Sequence, residues 1–114
     1  MRIKDLILTW VEFFNQGDYK KISEMYSEDS TNYQVPNEPV SGKFNIEKMF
    51  KEEFESYDMT CIVENIFVDN NVGILEWKDP NGLRGCGFFW FQDNKIVYQR
   101  GYWNKKTFEE KQWK

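Results

Sequence analysis

A single α+β domain is the fold class this sequence predicts, with helices gathered on one face of an antiparallel sheet. Three observations carry that expectation. Apolar residues recur at helical spacing in the first half of the chain and alternate in strand fashion from residue 59 onward. The order of helices first and a strand meander afterwards puts the helices on one side of the sheet. The chain has 114 residues, the length of one ordinary domain, and shows no internal repeat, low-complexity segment or second domain.

Ile3, Leu6, Ile7, Trp10, Val11 and Phe14 mark one buried face of a helix over residues 3–15. Gly17 stops it, since glycine readily takes the left-handed conformation just past a helix end. Asp18 can cap a second helix over 18–26, with Ile22, Met25 and Tyr26 on its inner face. A short strand over 31–35 ends at Pro36, and Asn37 to Gly42 form a loop. Asn45 is the expected cap of a third helix over 45–57, whose apolar face is Ile46, Met49, Phe50, Phe54 and Tyr57. Strands follow over 59–68, 72–78, 84–92 and 95–104, joined by turns rich in Asp, Asn, Pro and Gly. A final helical turn is expected over 107–113.

Composition narrows the function. Aromatic residues make up 18% of the chain, so the core or a pocket is built around rings. A net charge of −4 without a basic stripe excludes nucleic acid as a partner. No run of about 18 apolar residues exists to span a membrane, and the N-terminus lacks a signal peptide's apolar core. A cytoplasmic location is therefore expected. The two cysteines, Cys61 and Cys86, sit in strand-like runs. Reduced buried thiols are the ordinary reading; a disulfide or redox pair is the alternative. The chain has no histidine. That removes histidine-dependent nucleophiles and histidine metal sites, leaving acid–base chemistry to carboxylates, Tyr, Lys or Cys. No metal or cofactor is expected.

Several segments together resemble the nuclear transport factor 2-like superfamily, and within it the SnoaL-like branch. They are Trp10 to Asp18 followed by Met25-Tyr26, then Pro36 with Ser41-Gly42 and Ile46. The most telling is Arg84-Gly85-Cys86-Gly87-Phe88-Phe89-Trp90-Phe91 through Lys95-Ile96 to Arg100-Gly101-Tyr102-Trp103-Asn104. Asn94 stands where such chains usually have a turn glycine, and Asn104 where they usually have an aspartate. The resemblance covers nearly the whole chain. It implies a cone-shaped barrel, a curved antiparallel sheet packed against three N-terminal helices around an aromatic-lined cavity.

Function follows less directly, because this fold hosts isomerases, cyclases, hydrolases, dehydratases and binding modules. The ketosteroid isomerase branch uses a tyrosine on the first helix, an aspartic acid on a late strand and an aspartate just before the proline. Those positions correspond to Trp10, Gly87 and Val35. The acid that the cyclases and epoxide hydrolases carry on the last strand corresponds to Gly101, and the hydrolases' third-strand pair has no secure counterpart in Leu75 to Lys78. No recognised catalytic set is present.

Among the remaining groups, Glu76 is the first candidate acid. If Gly87 faces the cavity and the loop after residue 78 is a two-residue turn, Val72, Ile74 and Glu76 share its face; a three-residue loop reverses this. An edge carboxylate paired with Lys78 or Arg84 is the ordinary alternative. Tyr33 could offer its hydroxyl beside Val35, or serve as core. Glu53 falls inside the apolar stripe of the third helix and is read as a flanking, solvent-reaching side chain. Trp10, Phe14, Phe50, Phe54, Phe89 and Trp103 suit an apolar planar ligand as well as a packed core. Gln99 and Gly101 share the cavity side, with Gly87 and Gly101 leaving room, while Arg100 points to the convex side.

The leading expectation is thus a protein that binds a small apolar or aromatic molecule. The alternatives are a lyase, isomerase or hydrolase using Glu76, and an interaction module without ligand. Cys86, Phe88, Trp90, Tyr98, Arg100 and Tyr102 form an aromatic convex face, so a homodimer through that face is expected.

Overall fold

The structure, a computed structural model, describes residues 2–111. Its first helix, α1 (Ile3–Gln16), buries Leu6, Ile7, Trp10 and Val11 and ends at Gly17, whose φ of 66° lies in the left-handed region. Asp18 then caps α2 (Tyr19–Ser23) by accepting the backbone N–H of Lys21.

The second helix is shorter than its apolar spacing predicts. The Met25 carbonyl accepts the N–H of Ile96, and Tyr26 pairs with Ile96, so both are drawn into the sheet. Tyr26 is therefore the first residue of β1 (Tyr26–Gln34) rather than the last of a helix. A long-range pairing has overridden a local spacing. The two-residue strand β2 (Val40–Ser41) pairs with β1 at the edge. The third helix, α3 (Lys43–Ser56), is entered through Gly42 instead of Asn45; the Asn45 amide lies one turn in and donates back to the Ser41 carbonyl.

Four long strands follow: β3 (Ile62–Asp69), β4 (Val72–Lys78), β5 (Arg84–Gln92) and β6 (Lys95–Trp103). The turn between β5 and β6 has Asp93 and Asn94 both at positive φ, 52° and 64°, as a tight hairpin of this hand requires. Asn94 is thereby doing glycine's work. The last helix, α4 (Lys105–Lys111), starts earlier than residue 107, because Asn104 caps it by accepting the Thr107 N–H. Residues 112 and 113 of the expected turn lie outside the described residues.

The six strands form one sheet in the order β2-β1-β6-β5-β4-β3. The meander β3 to β6 is antiparallel throughout, as expected, while β1 joins it parallel to β6 and makes the whole sheet mixed. A parallel neighbour needs a long crossover, and the whole of α3 to β5 supplies it. The sheet curls without closing, and α1 and α3 fill its concave side. Gly73 permits the close approach of α1. A Cβ there would come within 2.3 Å of Ile7 Cδ1 and 2.8 Å of Ile3 Cγ2. Ile7, Ile22, Ile46, Leu75, Phe89 and Ile96 are almost wholly buried in the layer between.

Candidate functional site

The β4–β5 connection decides what faces the cavity. Asp79 and Leu83 pair across its neck, the Asp79 N–H donating to the Leu83 carbonyl, which leaves Pro80-Asn81-Gly82 as the tip. The Asp79 carboxylate accepts the N–H groups of Asn81 and Leu83 at 2.9 and 2.8 Å. An odd-length tip pairs Leu75 with Gly87 and Glu76 with Cys86. Leu75, Trp77, Gly87 and Phe89 therefore face inward.

Glu76 and Ile74 are on the convex face, contrary to expectation. There Glu76 accepts the Asn65 amide at 2.7 Å. Tyr33 and Val35 are displaced for a related reason. In β1, Asn32 pairs with Gln99 and Gln34 with Gly101, so the even positions line the cavity. Tyr33 lies opposite Arg100 on the outer side, and Val35 lies past the strand end with its N–H on the Gly101 carbonyl. Glu76 and Tyr33 cannot share a cavity role.

Eight of the expected lining residues do converge: Trp10, Phe14, Phe50, Gly87, Phe89, Gln99, Gly101 and Trp103 surround a cavity of about 90 Å3. Trp10 stacks on Phe14 at 5.2 Å between ring centres and meets Phe89 edge-on at 5.1 Å. Phe54 stands behind this layer, stacked on Phe50 at 5.6 Å. An outer hollow of about 370 Å3 adjoins the cavity and shares Met49, Glu53, Trp103 and Phe108 with it. Phe108 of α4 forms part of the wall between them, packed on Trp103 at 4.9 Å and on Tyr57 at 4.6 Å.

A chain of polar side chains runs along the cavity's sheet wall. The Trp103 indole N–H donates to Gln34 Oε1 at 2.9 Å, and the Gln34 amide donates to Asn32 Oδ1 at 2.7 Å. Asn32 and the Trp10 indole N–H both donate to the Tyr26 hydroxyl, at 3.4 and 3.1 Å, and that hydroxyl donates to Gln99 Oε1. The chain ends on the Gln99 amide nitrogen, for which no acceptor is present among the described residues. Burial pushes the Tyr26 phenol well above its ordinary range, so it acts as a neutral donor.

Gly101 makes this chain possible. A Cβ on it would fall 2.0 Å from Gln34 Oε1. Gly87 differs: a Cβ there meets only Phe89, at 3.4 Å, so the missing side chain is open room.

Glu53 is the acid that sequence reasoning placed in solvent. It lines both hollows. As a residue it is half-buried, because one side opens onto this space, while protein encloses the carboxyl elsewhere. Burial, helped by the nearby Glu52 charge, pushes its pKa up to about 7. Tyr26, Asn32, Gln34 and Glu53 were the residues missed. Polar side chains on a strand ordinarily look outward, so Asn32 and Gln34 gave a misleading signal. Glu53 did give a correct one, by sitting within the stripe of Phe50, Phe54 and Tyr57. Burial also pushes the Cys61 thiol up to about 12, and both cysteines are free. Among the described residues no three His, Cys, Asp or Glu side chains gather as a metal site, and no helix is long and apolar enough to cross a membrane.

The convex face carries a second cluster. The Arg100 guanidinium lies 5.2 to 6.0 Å from the rings of Trp90, Phe88, Tyr102 and Tyr98. Its Nε is buried and has no hydrogen-bond partner among the described residues.

Comparison with known proteins agrees with this architecture. An NTF2-like protein of unknown function from Cytophaga hutchinsonii superposes with a TM-score of 0.80 at 14% identity, covering 93% of each chain. SalBIII, an epoxide hydrolase/cyclase-like enzyme of pyran ring formation in the polyether salinomycin, gives 0.80 at 18% identity over 91% of this chain and 92% of its own. A candidate isomerase from Bacillus subtilis gives 0.80 at 17% identity, over 93% of this chain and 88% of its own. These likenesses establish the NTF2-like fold. No curated protein sequence matches the chain. Residues 7–99 match the SnoaL-like domain family, and the chain belongs to that family.

Proposed function

We propose that this protein binds a small, largely aromatic molecule that carries a hydrogen-bond acceptor. The observation that carries this reading is the Gln99 amide, held by the Tyr26 hydroxyl and with no hydrogen bond from its N–H donors among the described residues, at the wall of a cavity faced by Trp10, Phe14, Phe50 and Phe89. Ligand sites combine such apolar walls with a few placed polar groups. The inner cavity holds about one ring; the outer hollow supplies room for the rest of the molecule. The acid–base alternative loses Glu76, which lies across the sheet. Native mass spectrometry of the purified protein tests the proposal by showing a co-purifying molecule. A Gly87→Leu variant, which fills the open room, should lose that molecule while unfolding as the parent does. Retention of the molecule in that variant would place the site elsewhere. The two free cysteines favour a reducing compartment, in keeping with a cytoplasmic location.

A homodimer through the convex face is the second reading, favoured by the unpartnered Arg100 Nε inside its aromatic ring cluster. Tyr102 is 41% and Phe67 57% exposed on that face. An apolar sheet face of this kind commonly marks an interface, and a partner subunit could supply the missing acceptor. Sedimentation at micromolar concentration decides it: a clean monomer, or a Trp90→Glu variant of unchanged mass, removes the interface.

A further inference from the structure

Glu53 is the one acid that borders both the inner cavity and the outer hollow, and its carboxyl makes no hydrogen bond or ion pair among the described residues. The ion pairs there are Arg2 with Asp5 and Arg84 with Glu64, both remote from it. None of the groups around it pairs with it. Glu52 on its own helix is a like charge, and the buried Tyr26 phenol on β1 is neutral. Asp79, after β4, is held by loop amides, and Cys61, before β3, is a buried neutral thiol. Tyr57 at the end of α3, and Lys105 and Glu109 on α4, line the outer hollow; Lys105 and Glu109 are exposed residues at its margin. A buried carboxyl without a cation is costly to ionise. What the Glu53 carboxyl lacks is a cation paired with it inside the hollow.

The walls suit a positive charge arriving with a ligand. Trp10, Phe14, Trp103 and Phe108 present rings around the same space, and aromatic faces attract ammonium groups. We propose that the natural ligand is an aromatic amine whose ammonium pairs with the Glu53 carboxylate while its ring enters the inner cavity. This deepens the ligand-binding reading above and rests on it. In the empty protein Glu53 is partly protonated at neutral pH, since its pKa stands at about 7. Ammonium binding favours the ionised carboxylate, so the proton leaves to solvent as the pair forms.

Three single-ring probes of one shape test the charge: benzylamine, benzyl alcohol and benzoate, titrated calorimetrically into the whole protein. The ammonium should bind best at pH 8 and about tenfold more weakly at pH 6, following ionisation of Glu53, while the alcohol stays level. Binding at pH 6 should release a proton, seen as a dependence of the heat on the buffer. Glu53→Gln should erase the preference for the amine and spare the alcohol. Alcohol binding as tight as amine binding, or an amine preference that survives Glu53→Gln, overturns the inference and leaves the ligand-binding reading intact. Failure of all three probes to bind removes both. Should the variant fold poorly, the pH series on the unaltered protein decides alone: a level amine affinity between pH 6 and 8 overturns the inference.

Discussion

Replacing Tyr26 by phenylalanine deletes one buried oxygen from the polar chain beside the cavity, and the structure sets what that oxygen is worth. Three groups turn to it: the Trp10 indole at 3.1 Å, the Asn32 amide at 3.4 Å and the Gln99 carbonyl oxygen that its proton reaches. The Asn32 contact is long enough to count little. The other two belong to side chains almost closed to solvent, Trp10 at 7% and Gln99 at 3% exposure. A buried polar group left without its partner costs roughly 1–3 kcal/mol. The neighbouring cavity can admit a water to one of them, which favours the lower half of that range. A loss of about 2–4 kcal/mol follows for the pair. At roughly 4 °C per kcal/mol this lowers Tm by about 8–16 °C. Urea unfolding followed by tryptophan fluorescence measures it, with the denaturant slope unchanged. A loss below about 0.5 kcal/mol would show that the hydroxyl does not hold the polar chain together.

Other substitutions probe separate contacts. Gly101→Ala should displace the Gln34 side chain and break its bonds to Trp103 and Asn32, costing about 1–3 kcal/mol. Made on a Gln34→Ala background it should cost little, so a double-mutant cycle by urea unfolding reads the coupling. Gly73→Ala should push α1 away from β4 at Ile7 and Ile3, with a loss of about 1–3 kcal/mol in the same assay. Glu53 gives a pH signature of its own. Its pKa is raised from 4.5 to about 7 in the fold, so the native state holds the extra proton between those values and stability falls as pH rises through them. Glu53→Gln should therefore stabilise the protein at pH 8 by on the order of 1–3 kcal/mol and change little at pH 4. Equal effects at both pH values would contradict the burial of that carboxyl.

The fold was legible because its strongest signals are local. The stripe from Ile3 to Phe14, the stop at Gly17 and the alternation in β4 and β5 each arise within one element. What escaped was decided at long range. Tyr26 has helical spacing with Ile22, yet the open edge of β6 captures it as a strand residue. The same event makes the sheet mixed and sets Asn32 and Gln34, rather than Tyr33 and Val35, toward the cavity. Nothing in residues 26–35 alone states which parity a parallel neighbour will impose.

The candidate acids show the difference between the two kinds of signal most sharply. A strand residue's face depends on the register of its partner, and that register depends on loop length by whole residues. One residue more at the tip of the β4–β5 connection exchanges Glu76 for Leu75 and moves a carboxylate from the cavity to the convex face. Asp79 adds to the uncertainty, because its side chain is what closes the loop at an odd length. A helix carries no such ambiguity. The face of Glu53 follows from its spacing to Phe50, Phe54 and Tyr57, whatever the loops on either side do. Of the two acids, Glu53 was therefore the one whose position could have been argued from sequence, and the apolar neighbours that made it look like a flanking residue are the reason it is buried. An acid inside an apolar helical stripe of an aromatic-rich chain should be read first as a cavity residue, and a strand acid only after its hairpin length is known.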